Sequence, residues 1–359
     1  MKWLGLFPGA YGDKGGLAQF NRHLLDALAT DRRLTLRALG FAGDPRAPAP
    51  AEANWSIPSP GSRLGFALHA AKAAARARPD VVVAGHAHFG AISWPIATAR
   101  RARLMTLTHG VEVWEPGRGI DALALRRSAM VTTVSRYTRE RLLAWCDIAP
   151  ERVVVLHNTI ELDRYVPGGR PRDLEERLGV AGKKVLLTVG RLSPHERYKG
   201  HDRVLPLLPE LERRAGPLHY LIVGSGDDRA RLETLAHASG AGHLVTFVGY
   251  VPDELLPEYY RLADAFVMPS TGEGFGIVFL EAMACGCPVV AGDRDGSRDA
   301  LCDGDLGRIV EPDSPPALRD AIVATLREGR SHETRIPGVE RFDVEHFRAR
   351  VRELVSSLG

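Results

Sequence analysis

Glu273 and Glu281 bracket a glycine-punctuated turn in Pro269-Ser-Thr-Gly-Glu-Gly-Phe-Gly-Ile-Val-Phe-Leu-Glu. The apolar run Ala265–Met268 ahead of it reads as a buried strand, and a helix is expected to start near Gly276 or Ile277. A helix start presents unpaired backbone N–H groups and the positive end of the helix dipole, an anion site suited to a diphosphate. Gly274 and Gly276 let the backbone approach such a ligand closely. Glu273 lies before this helix and Glu281 roughly one and a half turns into it. One carboxylate can therefore face a bound sugar while the other accepts hydrogen bonds from vicinal ribose hydroxyls. Carboxylates at such positions also act as plain helix caps.

Other segments carry polar residues at the ends of expected strands. Gly190-Arg-Leu-Ser-Pro-His-Glu-Arg-Tyr-Lys-Gly-His-Asp brings Arg191, Arg197 and Lys199 into one loop. Thr108-His-Gly-Val-Glu places His109 at a strand's carboxyl end, whereas His86 and His88 read as core or loop residues. In Gly224-Ser-Gly-Asp-Asp-Arg, Arg229 stands where a dinucleotide fingerprint needs its third glycine, which argues against a nicotinamide dehydrogenase. Asp293-Arg-Asp295 and Asp303-Gly-Asp305 have the form of metal-holding carboxylate pairs. Both fall late in a turn-rich stretch, and cations elsewhere already supply neutralising charge, so no metal or other cofactor is expected. Cys285-Gly-Cys287 lacks the second pair or histidines that zinc requires.

The elements that position these residues alternate between strand and helix. Apolar or β-branched runs occur at 3–7, 81–84, 104–107, 131–134 and 153–156, then at 185–189, 220–223, 245–248, 265–268, 288–291 and 307–310. Helical patterns at 17–29, 64–77, 138–144 and 230–238 fall between them. This alternation predicts an α/β protein with parallel sheets covered on both faces. At 359 residues the chain suits two domains. Val166-Pro-Gly-Gly-Arg-Pro171 marks a break, giving 1–168 and 169–340, followed by a C-terminal helix in 341–359. Ligands are then expected in a crevice beyond the carboxyl ends of the strands.

Charge is unevenly divided. Residues 1–165 hold 22 Lys and Arg against 14 Asp and Glu, while the remainder holds 25 against 30. A basic first half suggests an anionic partner such as a membrane surface or a phosphorylated acceptor. Four cysteines make no disulfide framework, and the uncharged stretch 81–99 is interrupted by histidines, Pro95 and small residues. The expected location is cytoplasmic, with contact at the inner face of a membrane.

Glu273 through Glu281, with Gly-Phe-Gly between them, resembles the signature of retaining family-4 glycosyltransferases of the GT-B fold. Glu196-Arg-Tyr-Lys-Gly-His-Asp and Asp295-Gly-Ser-Arg-Asp-Ala-Leu resemble the bacterial mannosyl- and glucosyltransferases of polysaccharide assembly. The family-4 resemblance implies two facing Rossmann-like domains with a cleft between them, an N-terminal acceptor domain, a C-terminal donor domain, and a final helix crossing back to the first. Arg191 and Lys199 match the pair that grips the donor diphosphate, with Arg197 a rival cation. Gly224, Tyr250 and Val251 fall in the nucleotide-holding blocks; Gly274, Phe275, Gly276 and Glu281 complete the donor site. His109 and Glu273 match residues near the transferring sugar, and Gly15, Gly16 and Glu112 are placed on the acceptor side.

The implied reaction moves a hexose, from GDP-mannose or a UDP-hexose, to a glycan or lipid-linked acceptor with retention. Nucleic acid is not an expected partner. Two other functions remain open in the sequence. One is a nucleotide-sugar epimerase or hydrolase of the same fold; the other is a catalytically silent nucleotide-sugar-binding module.

Overall fold

The computed structural model describes residues 1–58 and 61–359. It resolves into two compact units: Met1–Thr159 with Val344–Gly359, and Ile160–Asp343. The first contains strands β1 (Lys2–Phe7), β2 (Thr35–Gly40), β3 (Trp55–Ser56), β4 (Val81–Ala84), β5 (Arg103–Thr108), β6 (Met130–Thr133) and β7 (Val153–Val155). The second contains β8 (Lys184–Val189), β9 (Leu218–Val223), β10 (Val245–Gly249), β11 (Ala265–Met268), β12 (Val289–Gly292) and β13 (Arg308–Val310).

Each unit is one all-parallel sheet, ordered β3-β2-β1-β4-β5-β6-β7 in the first and β10-β9-β8-β11-β12-β13 in the second. These are Rossmann-like arrangements. In each, the strand order reverses once, between β1 and β4 and between β8 and β11. Loops leaving the carboxyl ends of those strands splay apart there, which makes the natural ligand crevice. The loops in question begin at Pro8, Gly85, Gly190 and Pro269, close to the segments singled out above.

Strands buried on both faces explain the nearly continuous apolar runs in the sequence. In the second unit Leu186, Tyr220, Ile222, Val267 and Val290 pack with Leu318 and Ile322 of the helix Pro315–Glu328. In the first, Leu4, Leu6, Val82 and Leu104 pack with Phe66, Ala70 and Ala73 of the helix Arg63–Ala77. That helix is alanine-rich, and Ser62 caps it by accepting the Gly65 N–H at 3.0 Å. Ser135 caps the helix Arg136–Leu143 in the same way, through Thr138.

The units divide at Thr159/Ile160 rather than at the proline- and glycine-rich stretch after Tyr165. Ile160 and Tyr165 are buried within the second unit, and the Ile160 N–H donates to the Phe342 carbonyl at 3.0 Å. Packing, rather than chain irregularity, fixes the boundary. The far boundary falls at Asp343/Val344, and the helix Val344–Ser357 belongs to the first unit, where Phe347 packs edge-on against Phe20. Strands β2 and β3 were not expected. Thr-Leu-Arg-Ala-Leu-Gly carries good helix formers, and pairing with β1 overrides that preference.

Candidate functional site

In the second unit the loops after β8 and β11 bring Arg191, Lys199 and Glu273 together. Lys199 Nζ donates to Glu273 Oε1 at 2.8 Å and lies 3.4 Å from Glu196 Oε2. Arg191 is paired with the same Glu196. The Lys199 stem runs over Gly190, and its ammonium sits 5.5 Å from the Tyr198 ring centre. Burial disfavours the ammonium, but Glu273 and Glu196 outweigh it and hold Lys199 protonated well above the usual lysine range. Arg197, the rival cation, turns away to Asp228 at 3.3 Å. Arg191 and Lys199 are therefore the pair at this switch point.

Glu273 is held from behind. Its backbone N–H donates to Asp295 Oδ2 at 2.8 Å, and its carbonyl accepts the Gly296 N–H at 2.9 Å. Ser270 Oγ also donates to Asp295 Oδ2, and the Ser297 N–H donates to Asp295 Oδ1. Burial raises the Asp295 carboxyl pKa, while these donors oppose the shift. With its oxygens taken by N–H and O–H donors, Asp295 is a clamp on the Glu273 loop.

Gly276 precedes the helix Ile277–Ala284 at φ +87°, and a Cβ there would meet the Phe279 ring at 2.4 Å. Only glycine combines this turn with this contact. The helix start is thus placed beside Glu273, with its first N–H groups unpaired within the helix. Gly224 is similarly demanding: it sits at φ +137°, and a Cβ would lie 1.8 Å from the Gly190 carbonyl. Its N–H donates to Gly249 O at 2.8 Å, joining the ends of β9 and β10 just before Tyr250 and Val251. Tyr250 is exposed and Val251 buried.

Two expected donor contacts take another form. Phe275 is buried against Phe342, with ring centres 5.6 Å apart, so its side chain is core and only its backbone faces the loop. Glu281 is 5% exposed, and its two oxygens accept from Tyr165 Oη at 3.0 Å and Tyr260 Oη at 2.6 Å. Burial pushes the Glu281 carboxyl pKa up, and the two tyrosine donors oppose that shift. The carboxylate expected to wait for ribose hydroxyls already has two hydroxyl partners.

In the first unit, His109 follows β5 directly. Its Nε2 lies 3.1 Å from the Gly85 carbonyl, which can only accept, so Nε2 carries the proton and Nδ1 is an acceptor. Burial lowers the His109 pKa against the pull of Glu112, keeping the ring neutral near pH 7. Glu112 Oε1 accepts the His109 N–H, so its carboxylate fixes the turn Val111–Val113. His86 stacks on His109 at 5.7 Å and is pushed down to about 4 by burial. Gly15 and Gly16 open the helix Gly16–Ala29, and the loop before them is pinned by Asn21 to Gly9 O and by Arg22 to Ala10 O and Asp13 O.

Glu196, Asp295, Tyr165, Tyr260 and His86 were missed as site-shaping residues. Glu196 had a signal, being the one acid among three cations in its loop. The others act through contacts between distant segments.

Residues 171–337 match the family described as glycosyl transferases group 1, and residues 14–164 match glycosyltransferase family 4. Between them the two matches run from residue 14 to residue 337, and the two Rossmann-like units have the GT-B fold. It is 36% identical over 248 residues to a GDP-mannose-dependent α-(1-6)-phosphatidylinositol monomannoside mannosyltransferase of Mycolicibacterium smegmatis, a match covering 65% of this chain and 64% of that protein. A D-inositol 3-phosphate glycosyltransferase of Geodermatophilus obscurus is 40% identical over 185 residues, covering 49% of this chain and 41% of the other. The chain thus spans just under two thirds of the first relative's length and less of the second's. Among solved structures, sucrose-phosphate synthase from Thermosynechococcus elongatus superposes with a TM-score of 0.80 at 22% identity, covering 100% of this chain and 99% of that one. HepE of Anabaena in complex with UDP gives 0.76 at 21% identity, covering 99% and 100%.

Proposed function

We propose that this chain transfers a hexose from a nucleotide-diphosphate sugar to a glycan or lipid-linked acceptor, retaining the anomeric configuration. The observation that carries the reading is the placement of Arg191 and Lys199 at the strand-order switch of the second unit, beside Glu273 and the start of the helix Ile277–Ala284. Breaking a sugar–phosphate bond leaves negative charge on the departing diphosphate. Two cations and the positive end of the helix Ile277–Ala284 stabilise that charge more than the ground state's, which is how such a site lowers a barrier. Arg191 offers a planar fork and Lys199 a point charge. The acceptor proton passes to a donor phosphate oxygen as the new bond forms on the same face. His109 Nδ1, neutral and accepting, orients an acceptor hydroxyl.

GDP-mannose is the first donor to try, because the mycobacterial-type relative uses it; UDP-hexoses come next, since a structural neighbour binds UDP. A lipid-linked acceptor is supported by the helix Arg63–Ala77. Leu64 is 73% exposed and Leu68 54% exposed on a surface shared with Arg63, Lys72 and Arg76, and residues 61–79 contain no acid. Apolar and cationic side chains on one exposed helix face suit an anionic lipid surface. Among the described residues no helix is long and apolar enough to cross a membrane.

The test is a thermal-shift panel of UDP, GDP, ADP and TDP sugars, since a ligand that binds only the folded state raises Tm. Product analysis with and without acceptor follows. A new glycosidic product only with acceptor is expected; free sugar or epimerised donor would sink the reading. Sedimentation with anionic vesicles, which Leu64→Asp with Leu68→Asp abolishes, checks the acceptor side.

A further inference from the structure

We propose that Glu196 is a built-in counterion, seated between Arg191 and Lys199 where the donor's diphosphate has to sit, and that it sets how tightly nucleoside diphosphate is held. The inference rests on reading Arg191 and Lys199 as the diphosphate-binding pair.

Charge and contact lead to it. Two cations, Arg191 and Lys199, face two carboxylates, Glu196 and Glu273, so the cluster is neutral as it stands. A diphosphate with several negative charges needs a net positive site. Arg197 does not supply the missing charge, because it is paired with Asp228, itself held by Arg231. One of the two carboxylates must give way when a diphosphate arrives.

Glu196 is the one placed to do so. Of the two carboxylates it is the one paired with both cations, which is the bridging position a diphosphate takes. Glu273 touches only Lys199 of the two, and its backbone is fixed at both the N–H and the carbonyl by Asp295 and Gly296. Glu196 interrupts the helical turns Pro194–Lys199 at φ −116°, ψ 26°, a local kink rather than a sheet-anchored position. Arg191 is 81% exposed, so it can pivot from the carboxylate to an incoming phosphate without repacking a core. Glu196 thus competes with the ligand for the same two partners, weakening binding of the diphosphate and easing release of the nucleotide product.

The test is isothermal titration of the full chain with UDP and GDP, with uridine and guanosine as diphosphate-free controls. Glu196→Gln keeps the shape and removes the charge. It is expected to tighten nucleoside diphosphate binding about tenfold, a change of one pK unit in the ratio of constants, and to leave nucleoside binding unchanged. Glu196→Asp, which keeps the charge, is expected to stay near wild type. Unchanged or weaker diphosphate binding in Glu196→Gln, with wild type still binding, overturns the counterion role and leaves the donor site standing. Equal tightening for nucleosides also overturns it, because that reports a general rearrangement. Wild-type protein that binds no nucleoside diphosphate overturns the donor-site reading itself.

Discussion

The Glu273 N–H donates to Asp295 Oδ2 at 2.8 Å, tying the loop after β11 to the turn after β12. Asp295 receives Ser270 Oγ and the Ser297 N–H as well, so one buried carboxylate sets the path of the loop that carries Glu273. Asp295→Ala leaves these donors unpaired in the interior. It is expected to cost about 3 kcal/mol in urea unfolding and to lower kcat at temperatures where the variant remains folded. Wild-type stability would show that the clamp is redundant.

Lys199→Ala is expected to lower kcat by about a hundredfold or more, with a much smaller change in KM for the donor. Lys199 lies against Glu273, and on the proposed function leaving-group charge grows beside this pair. Steady-state kinetics with the donor found in the thermal-shift panel decides it. A rise in KM with kcat unchanged assigns Lys199 to ground-state binding alone.

Much of this was legible in the sequence because parallel strands buried on both faces write themselves as short apolar runs. Ala265–Met268 and Val81–Ala84 were visible to the residue. Arg191, Lys199, Glu273 and His109 stand in loops after such strands, where the family resemblance singled them out. What stayed hidden depends on segments far apart in the chain. Tyr165 meets Glu281 across 116 residues, and Asp295 meets Glu273 across 22. No local pattern encodes such a pairing. Strand β2 was hidden for a related reason, since its residues favour a helix until β1 lies beside them.

The two tyrosine hydroxyls on Glu281 make a prediction of their own. Glu281→Ala is expected to destabilise the fold, because Tyr165 and Tyr260 lose a shared buried acceptor. Tyr165→Phe should cost about 1–2 kcal/mol and should not add fully to Glu281→Ala in a double-mutant cycle, a coupling expected for residues in one hydrogen-bond network. Additive losses in urea unfolding would mean that the hydroxyl and the carboxylate act independently.

His201 gives the clearest pH prediction. It is buried just after Lys199 and Gly200, and burial, with Lys199 nearby, pushes it down to about 4. The unfolded chain takes up a proton near the ordinary histidine value of about 6.5, whereas the folded protein resists until near pH 4. Between those values the unfolded state binds more protons, so stability falls as pH drops. Its contribution is fully present above about pH 6.5 and lost progressively towards pH 4. From pH 7 to pH 5 the loss from this residue is expected to be roughly 2 kcal/mol. Urea unfolding of wild type and His201→Gln at both pH values measures it: the glutamine variant should lose less stability over that interval by about this amount. Identical losses would show that His201 is protonated in the folded protein as readily as in the unfolded chain.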